Sequence, residues 1–135
     1  MAGVVFLAGW EWARLSGLRK QAHRILYAVL ISAVCFGVFQ ANVHMLSLFV
    51  SPFLWGLALY WVMRYPTHLV WRHVYSRLVF GVFVLVTTWS ALVVLRESAD
   101  FLVWVLLLMG LIWGADTGAY FAGRAFGKRK LARFV

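Results

Sequence analysis

Four apolar runs, each about as long as a bilayer is thick, constrain this chain more than any other feature. They cover Ile25–Gln40, Leu46–Met63, Leu78–Leu95 and Phe101–Ala122. A helix needs roughly 17–25 mostly apolar residues to cross hydrocarbon, where every backbone polar group must be satisfied within the chain. The expected fold is therefore all-α, a polytopic bundle of four spanning helices. The run at residues 25–40 is short and needs help from its flanks. A further apolar helix over residues 2–13 precedes it and is too short to span, which fits one half of a hairpin. No basic residue stands before its apolar part, and Glu11 and Arg14 follow too soon for a small-residue cleavage site, so it reads as retained rather than as a signal peptide. With 64% hydrophobic residues and 13% charged ones there is no soluble linker or second domain. The whole of 1–135 reads as a single integral membrane region.

The sparse charges are distributed by loop. Thirteen Lys and Arg face four acids, a formal net charge of +9. The first loop carries Arg14, Arg19, Lys20 and Arg24, the third Arg64, Arg72 and Arg77, and the segment after the last run Arg124, Lys128, Arg129, Lys130 and Arg133. The second loop, "ANVHM", is neutral, and the fourth, "RESAD", holds Glu97 and Asp100. Positive residues mark the cytoplasmic side, so the alternation places the odd-numbered loops and the C-terminal basic tail in the cytoplasm. Excess positive charge in such a chain meets anionic headgroups, and no motif that reads nucleic acid is present. Arg72, His73 and Arg77 suit lipid phosphates. Trp61, Tyr65, Trp71, Tyr75 and Trp104 lie near run ends, where interfacial aromatics sit. Cys35 lies in an apolar run and reads as a packing residue. Pro52 kinks or ends a helix, and Pro66 marks a loop.

The last run holds the residue that most needs explaining, because a carboxylate in hydrocarbon costs several kcal/mol unless it faces protein or water. Gly110, Gly114, Gly118 and Ala122 recur at spacing four and form a small-residue ridge, while Asp116, Tyr120 and Arg124 form a polar stripe on a roughly opposing face. Asp116 lies ~9 Å along the axis from Ala122 at ~1.5 Å per residue, within reach of the cytoplasm through a wet funnel. A carboxylate can hold Mg²⁺, and nearby Lys or Arg can hold phosphate oxygens, so together they suit a phosphorylated substrate. "GRAFGKR" is not a P-loop, since three residues rather than four separate its glycines and Arg129 follows the lysine. His68 and His73 are five apart, wrong for one helical face, and no third ligand accompanies them. Glu11, between Trp10 and Trp12, reads as a helix-end carboxylate paired with Arg14 or Arg19, with access to the polar cavity as its alternative role.

The run "WGADTGAYFAGRAFGKRKL" resembles a segment of the phosphatidate cytidylyltransferase family, the CDP-diacylglycerol synthases, and "GWEWARLSG" resembles that family's Glu-Trp segment. The resemblance implies that CTP and phosphatidic acid give CDP-diacylglycerol and pyrophosphate, with Mg²⁺, in a bacterial inner membrane. It implies Asp116 as the catalytic and metal-binding residue, and Thr117, Tyr120, Arg124, Lys128 and Lys130 as substrate contacts, with Arg129 and Arg133 as anchors. It covers only the first part of the family's length, so the expected bundle is a fragment of a larger fold. Metal-clamped nucleotidyl transfer calls for two or more carboxylates, which points to missing C-terminal helices of the same protein as partners. Association into a homo-oligomer is also compatible with the glycine ridge. Two competing readings stay open. One is a small non-enzymatic membrane protein in which Asp116 and the ridge assemble helices or a transport pathway. The other is a CTP-dependent lipid or polyprenol kinase.

Overall fold

The computed structural model describes residues 2–64 and 73–127, and every regular element within them is a helix. They are α1 (Ala2–Leu15), α2 (Gln21–Gln40), α3 (His44–Met63), α4 (Val74–Glu97) and α5 (Phe101–Phe126). The last four are long and apolar enough to cross a membrane, and the protein is a multi-pass membrane protein. Each helix runs past its apolar run where polar or small residues continue the backbone: α2 begins at Gln21 rather than Ile25, and α5 ends at Phe126 rather than Ala122. The added turn at the start of α2 brings the shortest run to spanning length. The chain forms two compact units, Met1–Arg96 and Glu97–Val135.

In the first unit, α1 and α2 make a hairpin. Val5, Gly9 and Ala13, spaced four apart, form the buried stripe of α1. A side chain at Gly9 would press on the Ala28 backbone and on Ile31, so this small stripe lets the two helices approach closely. The turn is closed by a Schellman pair, with Leu18 N–H donating to the Ala13 carbonyl at 3.1 Å and Gly17 N–H to that of Arg14 at 3.0 Å. Gly17 has φ +99°, the left-handed conformation this motif requires, which glycine adopts without a Cβ clash. Asn42 (φ 53°) plays the same part after α2, where Val43 N–H reaches the Val38 carbonyl at 3.2 Å.

Helix α4 closes the core against this hairpin. Val86 joins Val5, Ala13, Tyr27, Ile31 and the buried thiol of Cys35, a packing residue as expected. Two polar side chains tie α4 in place. The Trp12 indole N–H donates to the Arg77 carbonyl at 2.9 Å, and the Tyr27 hydroxyl donates to the Leu78 carbonyl at 2.8 Å. In a helix the side chain four residues on shields a carbonyl, and at that position from Arg77 the chain has Gly81. The indole occupies the place where a Gly81 side chain would stand.

Helix α3 leans on α4 through Trp61 and Phe80, whose ring centroids are 6.1 Å apart. It also passes through Pro52 without ending. The proline cannot donate to the Leu48 carbonyl, and the Ser51 hydroxyl supplies that hydrogen bond instead at 2.9 Å. Pro66, like Tyr65, His68, Trp71 and Arg72, lies outside the described residues.

Candidate functional site

The second unit is built on α5, a helix of 26 residues. At 3.6 residues per turn Asp116, Tyr120 and Arg124 fall on one stripe, with Thr117 about 100° round the helix from Asp116 and three residues before Tyr120. The stripe runs ~12 Å along the axis from Asp116 to Arg124. All four side chains are exposed, and α5 buries none of its residues. Tyr120 sets its ring edge-on to Phe121 with 5.5 Å between centroids, which orients the ring beside the stripe. The Gly127 N–H, donating to the Gly123 carbonyl at 3.0 Å, keeps the helix wound past Arg124. Cβ atoms built at Gly110, Gly114 and Gly118 meet nothing within 4 Å, so the expected ridge is open among the described residues. The close small-residue contact lies instead at Gly9 of α1. Lys128 and Lys130, like Arg129 and Arg133, lie outside the described residues.

The arrangement suits phosphate chemistry with an apolar substrate. Asp116 is a hard oxygen donor on a helix long and apolar enough to span, Thr117 and Tyr120 offer hydroxyls, and Arg124 offers a planar fork that can hold two phosphate oxygens. In hydrocarbon an uncovered aspartate costs roughly 2.5–3.5 kcal/mol or more, so this face requires polar cover or water. Among the described residues no three His, Cys, Asp or Glu side chains gather closely enough to hold a metal ion. Mg²⁺, however, is commonly held by one or two carboxylates with the remaining positions taken by water and substrate phosphates. Asp116 fits as one such ligand.

Glu11 and the cavities of the first unit do not compete for this role. Glu11 is paired with Arg14 at 3.3 Å, one of the pairings expected for it, with both side chains at the surface. Two cavities flank α3, one of about 320 Å³ between α2, α3 and α4 and one of about 360 Å³ against the start of α4. Among the described residues their walls carry no charged side chain, so they offer nothing to grip a phosphate.

Comparison with known proteins supplies what geometry alone does not. The Cytidylyltransferase family matches residues 1–135. The chain is 37% identical over 134 residues to a phosphatidate cytidylyltransferase of Pseudomonas aeruginosa, covering 98% of this chain and 49% of that protein. It is 30% identical over 153 residues to a phosphatidate cytidylyltransferase of Haemophilus influenzae, covering 98% of this chain and 53% of that one. The chain thus spans about half the length of the curated relatives it matches. No solved structure matches it.

Proposed function

This chain belongs to the cytidylyltransferase family, and from that premise we propose that the protein it forms part of is a phosphatidate cytidylyltransferase of a bacterial inner membrane. The observation that carries the reading is the family match along the whole chain, of which the stripe on α5 forms part. The chain contributes one integral membrane region, with the end of α5 and its basic tail in the cytoplasm, where CTP is dissolved. Further carboxylates come from residues of the protein beyond these 135.

In the reaction a phosphate oxygen of phosphatidic acid attacks the α-phosphorus of CTP. The new P–O bond forms in line with the bond to the β-phosphate oxygen, which breaks and releases pyrophosphate, leaving CDP-diacylglycerol. Arg124, near the end of α5, binds phosphate oxygens in a bidentate fork and fixes their orientation. Lys128 and Lys130 add positive charge on the same side. Thr117 and Tyr120 donate hydrogen bonds beside Asp116. Mg²⁺, with Asp116 as one ligand, would neutralise charge on the phosphates. The apolar face of α5 keeps the diacyl chains in lipid while the stripe holds the headgroup.

In the full-length protein, Arg124→Gln should raise KM for CTP or phosphatidate about tenfold, the value of one charge-assisted hydrogen bond. Steady-state rates over a matrix of both substrates read this directly. Unchanged kcat/KM for both would remove Arg124 from the site.

A further inference from the structure

The end of the first unit that carries the α1–α2 turn gathers cations from two helices on one short piece of backbone. Arg24 of α2 donates from Nε to the Leu18 carbonyl at 2.7 Å, and its guanidinium carbon lies 6.0 Å from the centroid of the Trp10 ring. Arg77 of α4 reaches the same turn. A Cβ built on Gly17 would lie 3.6 Å from Arg77 Nη2. Gly17 and Leu18 are consecutive, so two guanidinium groups flank one turn.

Neither arginine arrives there loosely. The Trp12 indole holds the Arg77 carbonyl, and the Tyr27 hydroxyl holds the next one, at Leu78. Tyr27 is three residues beyond Arg24, so the same clamp sets both arginines at matching heights. Among the described residues no acid answers their charge. Glu11, the acid on this hairpin, is engaged by Arg14, and neither Arg24 nor Arg77 forms an ion pair among the described residues. Among the described residues, Arg77 Nε is moreover buried with no acceptor. An unmade hydrogen bond of that kind is costly, and more so on a charged group. Arg19 and Lys20, exposed on the same turn, add to the positive field.

We infer that Arg24 and Arg77, gathered on the α1–α2 turn, form a phosphate-binding site at the membrane surface. Two guanidinium forks on one turn suit the tetrahedral oxygens of a phosphate better than a carboxylate or halide. The ligand answers the positive charge gathered at the turn. Such a phosphate reaches the site either as a lipid headgroup or from water, and the inference does not depend on the reaction proposed above.

The test uses the full-length protein in detergent, in an Arg124→Gln background so that the α5 stripe does not dominate, with dioctanoyl phosphatidate as probe. Arg77→Gln should weaken binding about tenfold or more, and Arg77→Lys, which keeps the charge without the fork, should fall between. Arg14→Gln removes the same charge from a residue already paired and should leave binding unchanged. The Arg77 side chain has no hydrogen-bond partner to lose among the described residues, so its variant should keep the parental unfolding temperature. Inorganic phosphate that displaces the probe would support the site with a water-borne ligand. Failure of inorganic phosphate and of dioctanoylglycerol to displace it would support it with a lipid headgroup. Equal weakening by Arg77→Gln and Arg14→Gln would reduce the effect to diffuse charge and overturn the inference, as would normal binding by a well-folded Arg77→Gln protein.

Discussion

Asp116→Asn in the full-length protein should lower the rate of CDP-diacylglycerol formation by about 10²–10³-fold or more while leaving membrane insertion unchanged. The substitution keeps the shape of the side chain and removes its negative charge. Insertion is not impaired, because a neutral amide costs no more than a carboxylate in hydrocarbon. What is lost is the hard anionic oxygen on the polar stripe of α5. Removing a single group that stabilises charge in a transition state commonly costs about 10²–10³ in rate, or ~3–4 kcal/mol. The Thr117 and Tyr120 side chains supply hydroxyls, not a carboxylate, and do not replace it. Rates should be measured alongside the amount of protein in the membrane fraction. Near-normal synthesis by a correctly inserted Asp116→Asn protein would show that Asp116 is not part of the reacting centre.

The second large effect concerns Gly81 of α4. A methyl group there would overlap the Trp12 indole, which must then leave both its pocket and the Arg77 carbonyl. Overpacking of this kind costs ~1–3 kcal/mol, and the hydrogen bond to Arg77 adds about 1 kcal/mol. Gly81→Ala should therefore lower the thermal unfolding midpoint strongly. Gly37→Ala and Gly56→Ala serve as comparisons, because a Cβ at either meets nothing within 4 Å, and both should be close to neutral. Combining Gly81→Ala with Trp12→Leu, which removes the obstructing ring, should cost less than the two changes added together. Strict additivity would mean that the two residues do not meet.

Trp12 and Gly81 also mark the boundary of what could be read from the chain alone. Four spanning helices were legible because hydrocarbon thickness imposes a length and a composition on each segment separately, and both are local properties. The pairing of Glu11 with Arg14 was legible for the same reason, being three residues apart on one helix. The contact between Trp12 and Gly81 joins residues 69 apart, and no pattern near either one announces it. The small-residue spacing shows the same limit from the other side. Gly110, Gly114 and Gly118 have the better pattern, yet the observed close contact uses Val5, Gly9 and Ala13, because Ala28 and Ile31 are the surface that answers them. Spacing identifies a face able to pack closely and says nothing of what meets it.

Pro52 teaches a related point. Its ring removes a backbone donor wherever it falls, but whether a helix ends there depends on whether another donor is at hand. The adjacent Ser51 provides one, and α3 continues. On α5 the periodicity gave the stripe of Asp116, Tyr120 and Arg124 directly. The groups that cover that stripe follow from no local pattern, since facing helices are chosen by the fold as a whole.

The central claim is that the protein transfers a cytidylyl group to a lipid phosphate, and the fate of the individual phosphorus atoms of CTP tests it most directly. The full-length protein should be incubated with phosphatidate and Mg²⁺, in one tube with CTP labelled at the α-phosphorus and in another with CTP labelled at the γ-phosphorus. Cytidylyl transfer predicts lipid label from the α-position alone, with the γ-label released in pyrophosphate. Lipid label from the γ-position would identify a kinase. No lipid label from either, with intact membrane-inserted protein, would contradict the enzymatic account and leave α5 to helix assembly or transport.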